Sequence, residues 1–201
     1  MENKNNFFAR YKEIIIPTVV MICICLVITA ALAGTNLLTE SKIEEIKKTE
    51  QEESRSEVLK ADKYDVYDDL TENEEYVAFD EAGNTAGYIF VNNVKGYGGE
   101  VKVMTGIKVD GTISAVKVLD ATSETPGLGQ NTGKADFYDR YSGLSTKKEI
   151  TVVKSGASKD SNSVNAVTGA TISSKAVTKA VNEARERFNE IMENEEASKD
   201  E

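Results

Sequence analysis

Thr168-Gly169-Ala170-Thr171 and Ile172-Ser173-Ser174 gather four hydroxyl side chains within seven residues, and an amphipathic stretch follows them. A hydroxyl presented just ahead of a helix can carry a phosphate, because the unpaired N–H groups and the positive end of the helix dipole favour one there. Gly169 permits a tight or left-handed turn, Ala170 keeps the surroundings small, and Lys175, one turn in, offers a positive charge. The same four hydroxyls also suit capping of the helix, Ser173 and Ser174 above all. TGAT alone does not choose between the two roles. A second stretch, Ala121 to Gln130, reads ATSETPGLGQ. One proline, two glycines and a leucine between them shape a loop that can lay its backbone against a flat ligand, or simply connect two elements.

Most other chemistry is excluded by composition. The chain of 201 residues contains no histidine and no tryptophan, which removes Ser-His-Asp triads, His-based acid–base catalysis, axial-His haem and most zinc sites. Its two cysteines, Cys23 and Cys25, lie in an apolar run and point to nearly opposite faces of a helix, so they cannot bridge each other within it. Asp62, Asp65, Asp68 and Asp69 lack calcium-loop spacing. With 34 acidic against 24 basic residues, net charge −10, a nucleic-acid partner is not expected. Redox chemistry, if any, must come from a bound organic cofactor.

The elements that would position these residues follow in order. Residues 1–13 are polar and basic, and 14–34 form an apolar run of about 30 Å as a helix, one hydrocarbon thickness. Basic residues precede it and acidic ones follow. By the positive-inside rule the N-terminus is cytoplasmic and the remainder extracytoplasmic. A cleaved signal peptide with Ala31-Leu32-Ala33 as its site is the alternative, but the run exceeds the usual apolar region of a signal. Residues 35–60 are a charged stalk. Ile43 and Ile46, and Glu44 with Lys48, have helical spacing, although a solvated linker is equally compatible. Residues 62–75 read as an acidic helix or loop.

Residues 61–194 are expected to form an α+β domain, followed by a solvated tail, 195–201. Strands are predicted at Tyr76–Asp80, Gly87–Val91, Val101–Val109 and Thr112–Leu119, with Asp110-Gly111 as a hairpin turn. This is an antiparallel meander with one buried face. Gly96-Tyr97-Gly98-Gly99 reads as turn glycines rather than a phosphate loop, since no G-K-[ST] follows. A short helix is predicted over 134–141, a strand at Glu149–Val153, a polar loop over 155–163 and a helix from about Ser173 to Met192. Val177, Val181, Ala184, Phe188 and Ile191 form that helix's apolar stripe.

Taken together, the apolar N-terminal run, Gly96-Tyr97-Gly98-Gly99, Asp110-Gly111-Thr112, Ser123-Glu124-Thr125-Pro126-Gly127-Leu128-Gly129 and Ala166-Val167-Thr168-Gly169-Ala170-Thr171-Ile172-Ser173-Ser174 resemble the G subunit of the Rnf electron-transport complex. The same FMN-binding domain occurs in the C subunit of the sodium-pumping NADH:quinone reductase. The chain length and the Ile172-Ser173-Ser174 continuation favour the Rnf type. The resemblance implies FMN bonded through a phosphoester to Thr171, installed by a separate flavin transferase from FAD. It implies that Glu124, Thr125, Gly127, Leu128 and Gly129 line the isoalloxazine ring, with Thr168, Gly169, Ala170, Ser173, Ser174 and Lys175 around the attachment point. It further implies an electron-carrying subunit, not catalytic alone, in a membrane complex that moves electrons between ferredoxin and NAD and couples this to sodium or proton transport. A non-redox membrane-anchored binding module is the reading from another class. Two positions depart from the family pattern. Asn165 stands where Asp is common, and Thr122 and Ser123 stand where a His often precedes the loop.

Overall fold

The computed structural model describes residues 3–68 and 74–197. The chain divides into two compact units, residues 1–50 and 51–201.

Helix α1, Asn3–Val58, contains all of the first unit's described structure and ends inside the second. Ile14–Glu40, 27 residues with a mean hydropathy of 2.8, is long and apolar enough to cross a membrane. Pro17 lies within it. Three of its threonines bond back along the helix. The Thr18, Thr35 and Thr39 hydroxyls donate to the carbonyls of Ile14, Ala31 and Thr35 at 2.7, 2.9 and 2.9 Å, so none of these donors is left unpaired. Residues 40–58 continue as helix, so of the two readings of the charged stretch the helix holds. The Glu44 side chain, expected to pair with Lys48, lies outside the described residues.

The second unit is built on a five-stranded antiparallel meander in sequence order: β1 Lys63–Asp68, β2 Glu74–Phe79, β3 Thr85–Lys95, β4 Glu100–Lys108 and β5 Ile113–Asp120. Helix α3, Thr171–Ala197, lies on one face. Its stripe Val177, Val181, Ala184, Phe188 and Ile191 is buried at 0–3% exposure against Tyr88, Phe90, Val103 and Ile107. Burying each of the larger side chains contributes roughly 1.5–3 kcal/mol.

The expected single buried face is corrected. The other face is covered by the end of α1, where Val58 and Leu59 pack on Tyr76, Ala78, Ile89, Val91 and Met104. Both faces of β3 and β4 are therefore dry, and their sequences lose the alternation a half-exposed strand shows. Gly106 marks the closest approach, since a Cβ there would stand 2.5 Å from the Val58 carbonyl oxygen.

Two further expectations change. The acidic stretch at 62–75 supplies β1 and the start of β2 rather than a helix or loop, with residues 69–73 outside the described chain. The polar loop over 155–163 ends in a strand, β7 Ser163–Asn165, which pairs in parallel with β6 Thr151–Val153 to form a separate two-stranded sheet. The short helix is present as α2, Ala135–Tyr138, flanked by 3-10 turns at Gly129–Gly133 and Asp139–Tyr141.

Candidate functional site

Thr171 is the first residue of α3 and is half-buried. Gly169 precedes it with φ +79°, a conformation a side chain would strain. The turn closes through Ala170 N–H to the Val167 carbonyl at 3.0 Å and Ser174 N–H to the Ala170 carbonyl at 2.9 Å. No hydrogen bond to another described residue engages the N–H groups of Thr171, Ile172 and Ser173. These are the unpaired donors every α-helix start presents.

The four hydroxyls separate cleanly. Ser174 is fully buried; its Oγ donates to the Ala170 carbonyl at 2.9 Å and accepts from Val167 N–H at 3.0 Å, so it clamps the turn. Ser173, 2% exposed, donates through Oγ to Glu124 Oε2 at 2.7 Å. Neither is an N-cap, which corrects that expectation. Both sit inside the first turn and point into the protein. Thr168 is exposed, and the hydroxyls of Thr168 and Thr171 engage no described residue.

The 121–130 loop reaches the start of α3 from the far end of β5. Thr125, Pro126 and Gly127 are exposed. Leu128 is 45% exposed, and one of its methyl carbons lies 3.0 Å from where a Cβ on Gly169 would stand. Ile172, the neighbour of Thr171, is 57% exposed. Two solvent-facing aliphatic side chains thus lie close to a free hydroxyl at a helix start, an arrangement that suits a flat aromatic group tethered through a phosphate.

Glu124 behaves differently from its exposed neighbours in the loop. It is 2% exposed. Oε1 accepts from Tyr97 N–H at 2.7 Å and Gly98 N–H at 3.3 Å, while Oε2 accepts from Ser173. The carboxylate is spent on the protein. Gly129 is buried behind it, and a Cβ there would meet Glu124 Oε2 at 2.2 Å. The glycines at 96–99 make the β3–β4 turn as expected, with Gly96 N–H bonded to the Gly99 carbonyl at 2.7 Å. They also accept the loop at close range, a role that the sequence reading missed. A Cβ on Gly96 would stand 2.0 Å from Glu124 Oε1, and one on Gly98 would stand 2.1 Å from the Ser123 carbonyl oxygen.

Lys175 is exposed, one turn beyond Thr171. It lines a groove of about 450 Å³ between β6 and α3, together with Val152, Thr178 and Lys179. Asn165, the departure from the family pattern, ends β7. Its Oδ1 accepts from Ala157 N–H at 3.0 Å and its carbonyl accepts from Arg140 at 2.7 Å. Its side chain thus fastens the 155–163 segment. Thr122 and Ser123 are exposed, and Thr122 bonds to Asp120 at 2.7 Å. No cluster of acidic, cysteine or histidine side chains suited to a metal occurs among the described residues.

Residues 96–186, which hold both the loop and the start of α3, match the FMN-binding domain family. The chain is 33% identical over 198 residues to the G subunit of the Na(+)-translocating ferredoxin:NAD(+) oxidoreductase complex of Acetobacterium woodii, covering 90% of this chain and 95% of that protein. It is 28% identical to the G subunit of the proton-translocating ferredoxin:NAD(+) oxidoreductase complex of Clostridium ljungdahlii, covering 92% and 94%. The crystal structure of Shewanella oneidensis NqrC is similar with a TM-score of 0.50 at 25% identity. That likeness covers 54% of this chain and about half, 53%, of NqrC.

Proposed function

The chain belongs to the G-subunit family of Rnf-type ion-translocating oxidoreductase complexes, and on that premise we propose that it carries FMN covalently, as a phosphoester on Thr171. Its role is that of a membrane-anchored electron-transfer subunit with an FMN-binding domain. The observation that carries the attachment is the division of hydroxyls. Ser173 and Ser174 are buried and committed, whereas Thr171 has a free hydroxyl beside three unpaired N–H groups. A phosphate on Thr171 would be stabilised by those donors and by the helix dipole.

FMN supplies the electron-carrying chemistry when bound. The protein's own part is to hold and orient. Gly169 turns the chain so that Thr171 opens α3, and Ser174 locks that turn. Leu128 and Ile172 offer apolar contact on the exposed side, and Thr125 and Gly127 leave space beside them. Thr171 is an acceptor modified once, not a nucleophile of turnover. Lys175 and Thr168 lie near enough along the chain to meet the phosphate or its attached sugar alcohol.

In this reading the apolar part of α1 crosses the membrane once, with the N-terminus cytoplasmic and the FMN domain on the extracytoplasmic side. A flavin transferase installs the flavin from FAD: the Thr171 hydroxyl loses its proton and forms the phosphoester as the pyrophosphate bond of FAD breaks and AMP leaves, and covalent attachment keeps the flavin from being lost there. The subunit relays electrons within a complex that links ferredoxin and NAD to sodium or proton translocation, as the names of its relatives describe for those proteins. The full-length likeness is to G subunits, and that to NqrC covers half, which favours the Rnf type over the quinone reductase. The test is a denaturing gel of the chain made together with an active flavin transferase. A fluorescent band is expected, lost in Thr171→Val; a dark wild-type band would rule the attachment out.

A further inference from the structure

Three segments far apart in sequence meet on one carboxylate. Glu124 lies 27 residues from Tyr97 and 49 from Ser173. It is 2% exposed and accepts from two backbone N–H groups of the Gly96–Gly99 turn and from one hydroxyl in the first turn of α3. Bonds to a charged acceptor are roughly twice as strong as neutral ones. The surroundings are cut to fit it. Gly96 and Gly129 leave room for its two oxygens, where a Cβ would stand 2.0 and 2.2 Å away. The carboxylate also lies at the positive end of α3, where a negative charge is favoured.

Thr171 is two residues before Ser173 on the same helical turn. Whatever fixes Ser173 fixes the direction in which Thr171 presents its hydroxyl. We infer that Glu124 is a positioning residue: its buried carboxylate clamps the Thr171-bearing start of α3 to the Gly96–Gly99 turn, and both flavin attachment and the setting of the attached flavin depend on that clamp. This rests on the reading that Thr171 carries FMN.

The experiment uses the full chain made with an active flavin transferase, as wild type, Glu124→Ala, Glu124→Gln and Ser173→Ala. Three quantities are read: flavin per protein, the visible circular dichroism of the attached flavin, and amide hydrogen exchange at Tyr97 and Gly98 in unlabelled protein. Glu124→Ala is expected to lower the labelling rate by up to about a hundredfold, the scale on which a misplacement of about 1 Å costs rate. It should also speed exchange at both amides. Glu124→Gln should restore most of the labelling, because its amide oxygen can accept from the turn while its NH2 faces Ser173 Oγ. Ser173→Ala deletes one bond and keeps the fold. It should slow labelling and alter the visible dichroism, and it decides the matter if Glu124→Ala does not fold. Wild-type labelling rates and dichroism in Ser173→Ala or Glu124→Ala would overturn the clamp. An unlabelled wild type would instead sink the Thr171 reading. The exchange contrast between wild type and Glu124→Ala would then still decide the clamp, and equal exchange in those two would refute it.

Discussion

Ser173 Oγ donates a 2.7 Å hydrogen bond to Glu124 Oε2, joining the start of α3 to the loop after β5 across 49 residues of chain. Gly129 stands directly behind this bond. A methyl group there would lie 2.2 Å from Glu124 Oε2 and 2.8 Å from Ser173 Oγ. Gly129→Ala is therefore expected to destabilise the domain by about 1–3 kcal/mol through overpacking. Gly127→Ala meets nothing within 4 Å but keeps a φ of +76°, and it should lose only about 1 kcal/mol from the left-handed conformation. Denaturant unfolding of both variants checks the order. Equal losses would contradict the packing around the carboxylate.

Asn165 is tied to Ala157 N–H through its side-chain oxygen, and a carboxylate can accept the same bond. Asn165→Asp should keep stability to within about 1 kcal/mol, whereas Asn165→Ala leaves that N–H without its partner and should lose about 1–3 kcal/mol. Thermal unfolding of the two variants distinguishes them. A large loss in Asn165→Asp would show that the amide nitrogen, not the oxygen, is what the segment needs.

Glu75, 5% exposed, takes a two-pronged contact from Arg187, with Nε to Oε1 at 2.8 Å and Nη2 to Oε2 at 3.2 Å. This pins β2 to α3. Arg187→Ala leaves the carboxylate buried without its main partner, and since the arginine side chain is 34% exposed the loss should be about 1–3 kcal/mol, below that of a fully buried pair. Arg187→Ala with Glu75→Gln should recover part of it. A double variant less stable than the sum of the single losses would contradict this account.

Burial, then the hydrogen bond to Glu74 and its charge, push the Tyr76 phenol from 10.0 up to about 12. Burial likewise raises Tyr88 and Tyr141. A phenol whose folded value is raised contributes its full share of stability below pH 10, and the share is lost as pH rises from 10 towards 12. Phenolate absorbance should therefore show a late-titrating group of tyrosines, coupled to falling stability over that window. Titration of all eight tyrosines at their ordinary value in folded protein would contradict the packing around Tyr76.

The sequence shows its plainest signals where one element carries the whole pattern. The stripe from Val177 to Ile191 lies on one helix, and Asp110-Gly111 turns one hairpin, so both are read without knowing their partners. Strand β7 is three residues long and exists only because β6 runs parallel beside it. Strand β1 mixes lysine, aspartate and tyrosine because it lies at the sheet edge. Val58 and Leu59 look like the end of a charged stalk until the sheet's second face is seen to need cover. The role of Glu124 was hidden for the same reason. A glutamate in an exposed-looking loop gives no sign that two amides and a serine from elsewhere converge on it. The glycines at 96, 98 and 129 were visible as glycines, but what they make room for was not.

Thr171 as the flavin attachment point is tested most directly by tandem mass spectrometry of the tryptic peptide spanning residues 160–175, taken from protein made with an active flavin transferase. That peptide contains all four hydroxyls in question, Thr168, Thr171, Ser173 and Ser174. One FMN-phosphoryl adduct is predicted, with fragment ions placing it on Thr171. An adduct on Thr168 or on either serine, or an unmodified peptide, would contradict it.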